Sequence, residues 1–173
     1  IYKFFSKPVC IVCEIAGKNL HSQNHNSSSD PLLEDSDATE NTNTIYSLTP
    51  GESFSGLLNP VGDRDWVAIE LDYSTKYLFE LTGADSGDGT LSDPYLRLYD
   101  EDGNILDEDD DGKGDRESSL TYTASESSTY YLSAGAYDDD GSGSYLLSTY
   151  ELQENSDAAE STHTIYSLKP GES

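Results

Sequence analysis

The sequence predicts an all-β domain: an antiparallel β-sandwich or jelly roll of about nine short strands. Three observations carry that expectation. Apolar and polar residues alternate in short runs, as half-buried strands require, and no window sustains a 3.6-residue apolar period. Clusters of Gly, Asp, Asn, Ser and Pro separate the runs. The chain also holds 13 Tyr, 4 Phe and 1 Trp, large side chains that argue against disorder through its middle.

The expected strands run in order along the chain. Residues 44–48 alternate and stop at Pro50 and Gly51, and residues 54–58 follow. Residues 65–71 alternate fully, with Trp66, Ala68 and Glu70 on one face and Val67, Ile69 and Leu71 on the other. In that segment the bland reading has Trp66 filling the core and Asp65 capping a turn. Residues 77–81 repeat the pattern, and shorter runs occupy 95–99, 104–106, 120–123, 129–134 and 144–152.

An internal repeat sets the boundaries. Residues 37–53 read DATENTNTIYSLTPGES and residues 157–173 read DAAESTHTIYSLKPGES, identical at 13 of 17 positions with an offset of 120. Such spacing is too long for a solenoid repeat, so each copy is expected to be a domain with its own core. The expected organisation is a disordered segment and linker over 1–36, a module over 37–156, and the start of a second copy over 157–173. Met is absent, even at position 1, and the chain reads as part of a longer polypeptide.

The first segment offers little chemistry. Cys10 and Cys13 form one C-x-x-C, half of what a structural zinc site needs, with no strand-helix setting for redox work. Residues 8–17 are apolar but too short to span a bilayer. With Lys3 and Lys7 before them they resemble a signal-peptide remnant. Residues 18–36 are rich in Ser, Asn and Asp, as flexible linkers are.

Charge narrows the partners. With 34 acidic and 9 basic residues the net charge is −25. Nucleic acid and anionic membranes both demand Lys and Arg, so neither is an expected partner. Residues 37–156 contain no His or Cys, which removes Ser-His-Asp and Cys-His nucleophiles and His-based zinc chemistry. No Gly-rich loop precedes a helix to cradle phosphate. The module is therefore expected not to be an enzyme.

The acids crowd three loops: 100–103, 107–115 and 138–141. Two carboxylates about 4 Å apart repel by about 4 kcal/mol at a surface-like dielectric. Such a loop must either point its acids into water or share a cation. Ca²⁺ fits, because it takes six to eight oxygen ligands in flexible geometry. The loop from Asp107 begins like an EF-hand, with Asp107, Asp109, Asp111 and then Gly112, but its twelfth position is Ser118 instead of Glu, and strands flank it. The candidate calcium ligands are Asp93, Asp100, Asp102, Asp107, Asp109, Asp110, Asp111 and Asp115. The competing reading is a solvated acidic hairpin.

The motif order resembles the bacterial pre-peptidase C-terminal domain family. It runs Gly62-Asp63-x-Asp65-Trp66-Val67, then Tyr77-x-Phe79-x-Leu81-x-Gly83, then Leu91 through Asp100. Asp109-Asp110-x-Gly112, Thr129 through Tyr137 and Gly143-Ser144-Tyr145 complete it. The resemblance spans residues 37–152. It implies a β-sandwich accessory module of a secreted, extracellular multidomain protein, usually beside a peptidase catalytic domain. Relatives occur in RTX-type calcium-binding proteins, and those in collagenases bind calcium and substrate. It places Asp93, Asp100, Asp109 and Asp110 at the family's acidic positions, and the stretch at Asp107-Glu108 departs from the common pattern. The implied partners are a catalytic domain or neighbouring repeats of the same polypeptide. The alternative is a tandem repeat of an adhesin or surface protein, binding extracellular protein or polysaccharide through Tyr95, Tyr137 and Tyr150.

Overall fold

The computed structural model describes residues 30–153. The C-x-x-C pair, the apolar stretch over 8–17, most of the expected linker and the second copy over 157–173 lie outside the described residues. Among the described residues, ten strands form two five-stranded sheets. They are β1 (Leu32–Leu33), β2 (Ser47–Leu48), β3 (Ser53–Leu58), β4 (Asp65–Leu71), β5 (Lys76–Thr82), β6 (Pro94–Tyr99), β7 (Ile105–Asp109), β8 (Ser118–Thr123), β9 (Ser128–Ala136) and β10 (Gly143–Leu152). One sheet has the order β1-β3-β10-β5-β8 and the other β2-β4-β9-β6-β7. Among the described residues the only helical element is a 3₁₀ turn, Tyr137–Asp139.

The sandwich core follows from period-two alternation. Along β4, Val67, Ile69 and Leu71 point between the sheets, where they meet Leu96, Leu98 and Leu132 of their own sheet and Phe54, Phe79, Leu81 and Leu147 of the other. Burying each such side chain is worth about 1.5–3 kcal/mol. The opposite face of β4 carries Trp66. It is buried, but outside the inter-sheet core, its ring stacked on Tyr99 at 4.0 Å between centroids and tilted against Tyr131 at 5.8 Å. The expectation that Trp66 fills the core is thus corrected. Two aromatic rings from β6 and β9 cover it on the outer face.

Three further expectations change. The sheets are not wholly antiparallel: β1 pairs with β3, and β2 with β4, in parallel. Both are two-residue edge strands, delivered by one N-terminal strap that crosses from sheet to sheet. The strap begins before residue 37, because Leu32 pairs with Phe54 and the Glu34 amide donates to the Ser55 carbonyl at 3.0 Å. The linker therefore does not extend to residue 36. Finally, the run Asp107-Glu108-Asp109 is strand and not loop. It forms an edge, and its charges suit that position by discouraging further strand pairing.

Candidate metal centres

Among the described residues, two groups of three carboxylates converge, each with ligand oxygens within 4.8 Å of one another: Glu34, Asp37 and Asp65, and Asp93, Asp110 and Asp111.

The first group grows from the same alternation that builds the core. Asp65 starts β4 on the parity of Val67, Ile69 and Leu71, so its side chain faces inward and is fully buried. One oxygen, Oδ2, accepts a hydrogen bond from the Tyr145 hydroxyl at 2.7 Å. The other, Oδ1, is buried with no hydrogen-bond partner. Room for the Tyr145 ring end comes from Gly56, where a Cβ would lie 2.6 Å from Tyr145 Cζ and closer still to its hydroxyl. Asp65 is therefore not the turn cap that the sequence suggested.

The strap brings the other two acids over Asp65. Glu34 is fixed by the amides of Ala38 (2.9 Å) and Leu57 (2.7 Å), each donating to one carboxylate oxygen. Tyr46 pins the same turn: its hydroxyl accepts from the amides of Asp35 and Ser36. Asp63 stands nearby, held by the amides of Asn59 and Arg64. Arg64 is the adjacent base, but its guanidinium is committed to Asp139. Among the described residues no Lys or Arg pairs with Glu34, Asp37 or Asp65. Burial pushes the Asp65 carboxyl from 3.8 up to about 8; the Tyr145 hydrogen bond opposes this and the charges of Glu34, Asp63 and Asp37 add to it. Glu34 is also raised, chiefly by burial, with its two amide donors opposing.

The second group lies at the other acidic region. Asp93 precedes β6, and Asp110 and Asp111 follow β7. Burial raises the Asp93 and Asp110 carboxyls, and Asp111 adds repulsion to both. Asp110 Oδ1 is buried without a hydrogen-bond partner. Here cations are close by. Arg116 lowers the Asp93 carboxyl while paired to Asp85 at 2.7 Å, and Lys113 pairs with Glu80 at 2.7 Å.

Of the eight acids singled out from sequence, the structure brings together three, Asp93, Asp110 and Asp111. The other five are apart from that group. Asp100 is used by its own turn: it accepts the amides of Asp102 (3.0 Å) and Asn104 (2.8 Å), and the Asn104 side-chain and backbone donors lower its carboxyl. Asp109 accepts the amides of Gly112 and Ser119, which shapes the β7–β8 connection. Asp102, Asp107 and Asp115 are exposed. Glu34, Asp37 and Asp65 were missed. The available signal was an acid at the core parity of the strongest strand, two residues after Asp63.

Both groups offer carboxylate oxygen only. That donor chemistry suits a hard cation such as Ca²⁺, and the described residues contain no His, Cys or Met to favour a softer metal. The first group fits better, because it pairs a fully buried, half-satisfied carboxylate with two further acids and no base.

No family model and no curated protein matches the chain. Solved structures do resemble it. One is the pre-peptidase C-terminal domain of a collagenase from Bacillus anthracis, 17% identical with a TM-score of 0.48, the match covering 60% of this chain and 92% of that domain. Another is CorA, a surface-associated copper-binding protein of Methylomicrobium album BG8, 11% identical, TM-score 0.42, covering 62% and 98%. A third is PliG, a periplasmic inhibitor of g-type lysozyme from Aeromonas hydrophila, 11% identical, TM-score 0.36, covering 60% and 97%. The first carries the family name that the motif order resembles. At these scores and identities, what the three proteins bind stays with them. Among the described residues, no helix is long and apolar enough to cross a membrane.

Proposed function

We propose that residues 32–153 form a non-catalytic, calcium-stabilised accessory module of a secreted multidomain protein, in which the ion joins the N-terminal strap to the sandwich. The observation that carries this reading is Asp65: fully buried, one oxygen orphaned, with Glu34 and Asp37 poised beside it and no base among the described residues to neutralise them. An uncompensated carboxylate in such a place costs several kcal/mol. It persists where some other interaction offsets it.

The residues would share the work as follows. Glu34 and Asp37 come from the strap and Asp65 from β4, so holding one cation between them ties an edge segment to the core. Bound Ca²⁺ supplies positive charge and a demand for six to eight oxygens. Tyr145 keeps Asp65 Oδ2 oriented, which leaves Oδ1 available. Asp93, Asp110 and Asp111 form a weaker second site in this reading. Binding only to the folded state stabilises it by mass action, about 2.7 kcal/mol at a hundredfold excess over Kd. A chain crossing a calcium-poor compartment would keep its strap loose and tighten it outside the cell.

The motif order resembling pre-peptidase C-terminal domains supports placement beside a secreted peptidase, in a targeting, folding or secretion role. A surface-protein repeat is the second reading, favoured by the repeated strap sequence and by Tyr137 and Tyr150, both 43% exposed. Thermal melting in millimolar Ca²⁺ and in chelator tests the shared claim. A clearly higher midpoint with Ca²⁺ is expected; equal midpoints contradict calcium stabilisation.

A further inference from the structure

Four strands form the edges of the two sheets, and three of them are protected against further pairing. β1 and β2 have two residues each, too few to template another strand, and β7 carries Asp107, Glu108 and Asp109. β8 is different. It runs from Ser118 to Thr123 without a charge, a Gly or a Pro, and the uncharged run continues through Ala124 and Ser125. Among the described strands longer than two residues, only β3, β8 and β9 lack a charged side chain. β3 and β9 are paired on both sides, whereas β8 is paired on one. Its composition is that of a covered strand, at a position where nothing covers it among the described residues. Its backbone also has groups to offer. The Ala124 amide donates to the Thr75 carbonyl at 3.0 Å and the Ala124 carbonyl accepts from the Ser74 amide at 2.8 Å, so the even-numbered residues face β5. The Ser119 amide faces away and donates to Asp109 at 2.7 Å. By alternation the amides and carbonyls of Thr121 and Thr123 face away as well, and among the described residues no hydrogen bond reaches them. Both residues are exposed.

The occupant that fits this edge is the same strand, turned round. We propose that two copies of this chain pair β8 with β8, antiparallel about a two-fold axis at Tyr122, and so fuse their β1-β3-β10-β5-β8 sheets into one. In that register Thr121 faces Thr123 of the second copy, and the two such pairs exchange the amides and carbonyls that otherwise lack partners. On the inner face Tyr122 meets Tyr122 and Leu120 meets Ala124, apolar against apolar, and half-buried Tyr122 gains cover. At each end the bend holding exposed Glu126 falls opposite Ser118, two residues from Arg116, whose side chain is 52% exposed. Opposite charges therefore meet at both ends of the contact. The same operation on β7 would set Asp107, Glu108 and Asp109 against their own copies. Each chain carries −25, so the contact is weak in low salt and strengthens as salt screens the long-range repulsion.

The test is sedimentation velocity of the full chain at concentrations up to about 1 mM and in rising NaCl, paired with amide hydrogen exchange. Reducing conditions keep Cys10 and Cys13 from linking copies. A dimer that grows with concentration and with salt is expected, and slow exchange at the Thr121 and Thr123 amides should appear only as it forms. Thr121→Lys with Thr123→Lys sets lysines against each other across the axis while making the chain less negative, so general repulsion between copies eases. The dimer should nevertheless be lost. Thr123→Lys alone serves if the double variant loses the near-UV signal of Trp66. A chain that stays monomeric at every concentration and salt, or a dimer that survives the lysines, overturns the proposal. So does slow exchange at the two amides that dilution leaves unchanged, because a segment of the same chain would then occupy the edge.

Discussion

The two carboxylate groups hold the same number of acids but solve the problem of like charge differently. Asp93, Asp110 and Asp111 sit at a loop end, half-buried to exposed, with Arg116 and Lys113 nearby and water within reach. Glu34, Asp37 and Asp65 are fewer in a sequence window yet more constrained. Asp65 is at zero exposure, and the charges that act on its carboxyl, Glu34, Asp63 and Asp37, are all acids. Local density of acids therefore does not locate the more demanding site; burial without a counter-charge does. A crowded loop relaxes by pointing outward, an option that a core-facing carboxylate on a central strand lacks.

The largest expected effect breaks the buried group. Asp65→Ala in Ca²⁺ removes a ligand and orphans the Tyr145 hydroxyl, and should cost about 3 kcal/mol in denaturant unfolding. In chelator the loss should be smaller, since no bound ion is lost there and the burial penalty of the protonated Asp65 goes with the side chain. Next in size is Gly56→Val. Its side chain would occupy the space of the Tyr145 ring end, and overpacking costs about 1–3 kcal/mol. The calcium-dependent gain in midpoint should shrink with it, as Tyr145 can no longer orient Asp65. An unchanged gain would separate Tyr145 from the metal group.

The third effect is a pH dependence. Without calcium, folded Asp65 keeps its proton up to about 8, whereas the unfolded chain loses it near 3.9. The folded state then binds more protons across that window, so apo stability should fall as pH rises from 4 to about 8. Calcium should flatten or reverse the slope, because it favours the ionised carboxylates. Melting curves between pH 5 and 8, with and without Ca²⁺, check this; parallel slopes would contradict it. The smallest effect belongs to the exposed group. Asp111→Asn should change stability by under about 1 kcal/mol, slightly upward in chelator as repulsion is relieved.

The sheet framework was legible because alternation in β4, β5 and β10 is strong and their turns are marked by Gly, Asp and Pro. The 65–71 strand matches the sequence expectation, and its alternation puts Asp65 on the parity of Val67 and Ile69, which the turn-cap reading of Asp65 passed over. What hid the buried group was partnership across sequence. Glu34 lies in the stretch whose polar composition reads as linker and Asp37 is the first residue of the expected module; only pairing of Leu32 with Phe54 makes the two parts one strap. Asp100 and Asp109 misled for the opposite reason. Their spacing looks like a ligand set, but a carboxylate also satisfies the amides of a tight turn, and that local use wins in both. Asp107 is drawn into an edge strand by pairing with Leu98, which no loop motif anticipates.

The most direct measurement is a calorimetric Ca²⁺ titration of the chain at pH 7 in buffers of different ionisation enthalpy. The account predicts binding accompanied by release of roughly one proton, as the raised Asp65 carboxyl gives up its hydrogen, with the release lost in Asp65→Asn. Binding that releases no proton, or an Asp65→Asn chain that titrates like the parent, would contradict it.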